Sequence, residues 1–279
     1  HPYGRLDSGR PKQIGQITRG DIQAFYKQHY RPGRAALVIV GDVTWRQVRA
    51  QVRRRFGAWR GAPTQPAPVK PAAPPKGRLF VTPLPRAPQT EIRVGHAGPA
   101  RKHPDRVALM VMNTILGGSF TSRINLNLRE RHGWTYGAYS RFTFPRRPGA
   151  FRIQTAVQAN ATVPAVREIL AEVRRMAGGR ITPGELRLAR QSLSVSVSGW
   201  FVTNRGVAGA VARLFLHSLP RDFYQRFPVQ VQAVDAAAVA RVAKAHLKPG
   251  QLRVVLVGDP RFMKGLGRLG LGKPRRMAP

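Results

Sequence analysis

The sequence predicts an α+β fold in which helices pack on one face of a mostly antiparallel sheet. Three observations carry this. Amphipathic helical segments are interspersed with short apolar runs of strand length. Two of those runs are joined through a Pro- and Gly-rich turn at residues 145–149, as in a hairpin. One helix-and-strand unit occurs twice in the 279 residues.

Taken in order, residues 1–16 read as an irregular entry segment. Thr18 and Asp21 form a capping-box-like helix start, with Asp in place of the usual Glu or Gln, and Ile22, Phe25 and Tyr26 fall on one helical face. The helix ends near Tyr30, because Arg31-Pro32-Gly33 forbids its continuation. Residues 35–40 are apolar and closed by Gly41-Asp42, the pattern of a buried strand. From Thr44, the spacing of Trp45, Val48, Val52 and Phe56 predicts a second amphipathic helix with arginines on its wet face. Residues 62–77 then change abruptly to Pro and Ala, which predicts a semi-rigid linker and a domain boundary.

Beyond the linker, residues 78–82 and 90–96 are strand candidates, and His103-Pro104-Asp105 opens a helix that runs to Leu116. Residues 136–144 and 150–158 are the two strands of the hairpin. From Val163 the reading is helical, with Thr182 and Glu185 marking another capping box. Residues 261–279 read as a basic, Gly-rich tail.

The repeat sets the domain organisation. His29-Tyr-Arg-Pro-Gly33 precedes an apolar run ending in Gly41-Asp42, and His246-Leu-Lys-Pro-Gly250 precedes one ending in Gly258-Asp259. The copies are 246 − 29 = 217 residues apart, so the unit is about that long. Residues 1–61 are thus expected to be the tail of a first unit and residues 78–260 a complete second one, the chain being the C-terminal part of a longer two-unit protein.

Composition narrows the chemistry. There is no cysteine, hence no disulfide framework, thiolate metal site or cysteine nucleophile, which fits the cytosol and an oxidising compartment equally. No apolar run reads as a membrane span. The net charge of +36 is extreme, but its arginines are dispersed over every helix without interleaved aromatics, so no specific nucleic-acid partner is expected. Gly265-x-Gly267-x-x-Gly270 lacks the strand–turn–helix context of a dinucleotide site.

Residues 113–137, NTILGGSFTSRINLNLRERHGWTYG, organise the rest. A helix ends at Gly117-Gly118, read as a helix–helix turn; a second begins near Thr121 and stops at Gly133 before a strand-like Trp134-Thr135-Tyr136. The pattern LGG-x-F-x-S-R-(ILV)-x-x-x-LRE-x-x-G-x-(TA)-Y-G in this stretch resembles the pitrilysin/insulinase zinc peptidases, the inverzincins, which include the mitochondrial processing peptidases. The resemblance extends from residue 1 to about Asp259. It implies two homologous α+β halves closing like a clamshell, the zinc motif H-x-x-E-H in the first and substrate binding in the second. No two of this chain's seven histidines are four apart, so no zinc is expected on this chain. His29 and His246 read as residues at helix C-termini.

By the same resemblance Arg129 and Tyr136 reach across the cleft to the substrate backbone. Attack on a peptide carbonyl builds negative charge on its oxygen, which a permanently charged guanidinium and a phenol hydroxyl stabilise. The expected function is therefore the substrate-binding portion of a zinc metalloendopeptidase acting on extended polypeptides. Its zinc would come from an N-terminal half or a partner subunit, and the substrate would be held by strand addition to a sheet edge. The alternatives are a noncatalytic subunit of the same family and a basic nucleic-acid-binding module.

Overall fold

The computed structural model describes residues 8–62 and 75–277; most of the expected linker lies outside them. In order, the helices before that gap are α1 (Pro11–Ile14), α2 (Arg19–His29) and α3 (Trp45–Phe56). Then come β1 (Leu79–Pro83), β2 (Gln89–Ala97), α4 (Arg106–Asn113) and α5 (Arg123–Asn125). α4 is extended by a π-helical turn, Thr114–Gly118, and α5 by another, Leu126–Arg131. The hairpin strands are β3 (Ala138–Phe142) and β4 (Ala150–Gln158). Five helices follow: α6 (Thr162–Ala177), α7 (Pro183–Gly199), α8 (Asn204–His217), α9 (Phe223–Gln232) and α10 (Ala236–His246). β5 (Arg253–Gly258) and β6 (Arg275–Arg276) complete the chain. These elements form two compact units, one of residues 8–62 with Gly199–Pro220, the other of Pro75–Ser198 with the described part of Arg221–Pro279.

In the smaller unit the starts of α2 and α3 are fixed by side chains. The Thr18 hydroxyl accepts the Asp21 N–H while Asp21 accepts the Thr18 N–H, and Thr44 and Gln47 do the same for α3. The expected strand at residues 35–40 is not one: the run has no strand partner among the described residues, and Leu37 and Ile39 are exposed. Its counterpart in the repeat, β5, lies between two other strands. An apolar run becomes a strand only where a neighbour takes its backbone groups. The repeat itself holds to the residue, since α10 and the short 3₁₀ turn after it (Pro249–Gln251) are α2 and Pro32–Arg34 displaced by 217.

The larger unit is built on one six-stranded sheet in the order β3-β4-β2-β5-β1-β6. β3, β4, β2 and β5 pair antiparallel in turn, while β1 is parallel to β5 and β6, so the sheet is mostly antiparallel. Strict alternation gives it one buried face. Register lines up Ser140, Ile153, Val94, Val254 and Leu79 across five strands, all buried. Helices cover this face: α6 presents Val166, Ile169, Leu170 and Val173 at helical spacing, and α10 packs on both α4 and α6.

Two expectations need amendment. Arg106–Arg131 is long and apolar enough by composition to cross a membrane, which the reading of the sequence did not anticipate. Here Leu109, Met112, Leu116, Ile124 and Leu128 from it fill the core. Residues 261–277, expected as a tail, are packed: Leu266 and Leu271 are buried, and Arg275-Arg276 add β6 to the edge of β1.

Helix and sheet approach closely at Gly117, where an added Cβ would lie 2.5 Å from Ser140 Oγ and 2.7 Å from Ser140 N. Gly117→Ala is therefore expected to cost about 1–3 kcal/mol, seen as a lower urea midpoint at unchanged slope. Gly184→Ala, in the first turn of α7 with open space around it, is expected to be neutral or stabilising by up to about 1 kcal/mol in the same experiment.

Candidate functional site

The stretch 113–137 wraps around the end of β3. Asn113 Nδ2 donates to the Ser140 carbonyl at 3.0 Å, and the Ser140 hydroxyl donates to Asn113 Oδ1 at 2.8 Å. Gly117 follows on the π-helical turn and allows its backbone to approach Ser140 closely. It thus serves helix–strand contact as well as the turn expected from the sequence. Asn125 donates to the Phe120 carbonyl at 2.7 Å and accepts the Ala138 N–H at 3.0 Å. Backbone groups of this edge strand are thereby satisfied by two side chains from the helical layer, which blunts the edge.

The helix that carries Arg129 is fastened from below. The Arg123 fork grips Glu185, with Nε at 2.5 Å and Nη2 at 2.7 Å, and Nη2 also donates to the Arg180 carbonyl. Glu185 at the same time caps α7 by accepting the Thr182 N–H at 2.9 Å. The bonds from Arg123 and Thr182 hold its carboxyl at about 2, well under the ordinary 4.5. Buried Asn127 donates to Glu168 and Glu172 of α6.

Arg129 stands on the π-helical turn Leu126–Arg131, with its guanidinium 4.3 Å from the centre of the Phe120 ring and its Nε 3.5 Å from the Glu130 carboxylate. Phe120 was not singled out from the sequence, although the LGG-x-F pattern contains it. The helix closes at Gly133, which adopts φ +65, and the His132 ring stacks on Trp134 at 4.0 Å.

Tyr136 is not in a strand; β3 begins at Ala138. The Thr135 hydroxyl accepts the Gly137 N–H at 3.1 Å, and the Thr135 and Thr155 hydroxyls both reach the Gly137 carbonyl at 3.0 Å. The chain turns locally instead of pairing. Gln158 N–H donates to the Trp134 carbonyl and its side chain to the Gly133 carbonyl. Tyr136 is left at the apex, 89% exposed, with Phe120 and Tyr139 also exposed. Arg129 and Tyr136 thus sit on either side of Gly133, the one laid on Phe120 and the other projecting into solvent. Ser119 and Thr121, the neighbours of Phe120, open onto a groove that includes Leu188, Ser192 and Val195.

For a catalytic zinc the residues present do not fit the inverzincin motif. Among the described residues, the one group of three metal-capable side chains is His103 and Asp105 from the turn before α4 with His246 from the end of α10, without a glutamate in the position of a base.

Residues 16–193 match the family profile of the peptidase M16 inactive domain. An uncharacterized zinc protease of Mycobacterium leprae is 29% identical over 252 residues, covering 88% of this chain and 55% of its own length. The probable mitochondrial-processing peptidase subunit beta of Arabidopsis thaliana is 26% identical, covering 92% and 50% respectively. The chain therefore spans about half the length of these curated relatives. The crystal structure of a peptidase M16 inactive domain from Pseudomonas fluorescens superposes with a TM-score of 0.84 at 26% identity, covering 93% of this chain and 62% of that one. The structure of a Helicobacter pylori protease shares the fold, with a TM-score of 0.80 at 23% identity, over 92% of this chain and 63% of that one.

The Arg123–Glu185 pair has a defined pH signature. Because Glu185 is depressed from 4.5 to about 2, its contribution is complete above pH 4.5 and is lost as pH falls toward 2. Arg123→Gln is expected to lower stability by about 1–3 kcal/mol at pH 7, and the gap to the parent should shrink markedly at pH 3 when urea midpoints are compared.

Proposed function

The chain belongs to the M16 zinc peptidase family as its inactive, C-terminal domain, and on that premise we propose that it binds an extended polypeptide and presents Arg129 and Tyr136 to the backbone beside the scissile bond. The supporting observation is Tyr136 itself. A tyrosine with 89% of its surface in water stands at an apex whose flanks are bonded to β3, β4 and the helix before it. An aromatic side chain on so fixed a support gives contact area and a hydroxyl donor at little ordering cost. Arg129 complements it. Its guanidinium rests on Phe120, which orients the fork, and the remaining N–H groups are available to a carbonyl oxygen as negative charge develops there.

A zinc-bearing homologous half completes the reading. Within residues 8–62 no side chain is buried, and Ile22, Phe25, Tyr26, Leu37, Trp45 and Phe56 are exposed. In the second copy of the repeat, the matching α10 and β5 have buried apolar faces against helices and neighbouring strands. The first copy has the residues of a core without a sheet to cover them, and a half that contributes such a sheet would bury this face. Substrate strand addition is assigned to that half as well, because at β3 Asn113 and Asn125 already occupy the Ser140 carbonyl and the Ala138 N–H.

In the peptidase assembled from this chain and its zinc-bearing half, Arg129→Ala is expected to lower kcat by about 100-fold or more, and Tyr136→Phe by roughly 10-fold, with zinc content unchanged. Unaltered turnover in both variants would exclude the assigned roles.

A further inference from the structure

We propose that His103, Asp105 and His246 form a binding site for one zinc-like divalent ion, separate from the catalytic zinc of the family. Their ligand atoms all lie within 4.8 Å of one another. His246 Nε2 is 2.9 Å from Asp105 Oδ2, and His103 Nδ1 is 4.0 Å from the same oxygen. Zinc holds imidazole nitrogen and carboxylate oxygen at about 2.0–2.2 Å, which places neighbouring tetrahedral ligands roughly 3.4 Å apart. The observed separations bracket that value, and a shift of the His103 ring on the order of 1 Å closes the site around the ion.

The placement follows from the fold. His103 and Asp105 alternate along the turn that opens α4, and His246 is the last residue of α10, which packs across α4. A separation of 141 residues hid the group from any spacing rule. The repeat drew attention to His246 as a helix end, whereas its ring is directed at the carboxylate of another element.

The donors are oriented from behind. Arg241 donates to Asp105 Oδ1 at 2.6 Å, which leaves Oδ2 as the oxygen nearest both rings. The Asp105 N–H donates to His103 Nδ1 at 3.2 Å, so this nitrogen presents a lone pair and the ring proton resides on Nε2. The ion displaces that long hydrogen bond and the proton shared between His246 and Asp105, and water takes the fourth position. Two nitrogens and one oxygen select zinc, nickel or copper over magnesium and calcium, which require mostly oxygen. The net charge of +36 acts in the same direction, against cations held only by attraction to a carboxylate. Once bound, the ion ties the end of α10 to the start of α4.

The test uses the full 279-residue chain at pH 7.5 with zinc chloride or cobalt chloride as probe. Expected are one ion per chain by elemental analysis, visible cobalt absorption bands with nitrogen ligation, and a rise in Tm on adding zinc. His103→Ala leaves the Asp105–His246 bridge in place, so it should retain its circular dichroism while losing affinity by about 100-fold or more. Asp105→Asn should lose it likewise, and His132→Ala, whose ring lies on Trp134, should bind as the parent does. Absence of stoichiometric binding by the parent, or equal binding by a folded His103→Ala chain, overturns the assignment.

Discussion

The close approach of the helical layer to the edge strand at Ser140 is the constraint on which the rest of the larger unit depends. Gly117 permits it, and Asn113 secures it with two hydrogen bonds. With that joint fixed, Asn125 comes within reach of Ala138, the second helix packs against β3, and the chain must turn to enter the strand. The turn is the corner that carries Arg129 and Tyr136. A larger side chain at residue 117 would push the layers apart and move the corner with them, because protein interiors do not absorb such a displacement without rearrangement.

Much of this was legible because it is local. Capping boxes at Thr18, Thr44 and Thr182 are i, i+3 relations, and the alternation in β2 and β4 is a period-two pattern; neither depends on distant partners. The 217-residue repeat was legible because the same helix-and-turn geometry recurs with the same Pro-Gly punctuation. Misreadings arose where a distant group decides. Residues 35–40 have the composition of a core strand but lack a pairing neighbour among the described residues. Tyr136 has strand propensity, yet Thr135 and Thr155 fold its backbone into a turn. Asn113, Asn125 and Asn127 gave an overlooked signal: polar residues inside an apolar helical run have to be satisfied somewhere, the first two against β3 and the third against α6.

The charge distribution obeys the same logic. Only 12 acidic residues face 48 basic ones, and several of those acids join elements rather than decorate a surface. Glu185 links the start of α7 to the α5 segment through Arg123, Asp105 links α4 to α10, and Glu172 joins α6 to Asn127. The carboxyls of Asp105 and Glu185 are both depressed to about 2, in each case chiefly by a hydrogen bond from an arginine, so these ties persist well into acid. The surplus arginines lie on exposed helix faces such as that of α3 and require no acid for folding.

The central claim is that the corner meets substrate. Replacing Tyr136 with the photo-crosslinker p-benzoylphenylalanine, in the assembled peptidase with an uncleavable extended peptide, tests this most directly. The same probe at exposed Val229 serves as the control. The account predicts light-dependent attachment of the peptide at position 136, competed by excess substrate, and none above background at position 229. Equal labelling at both positions, or none at 136 with the peptide bound, would contradict it.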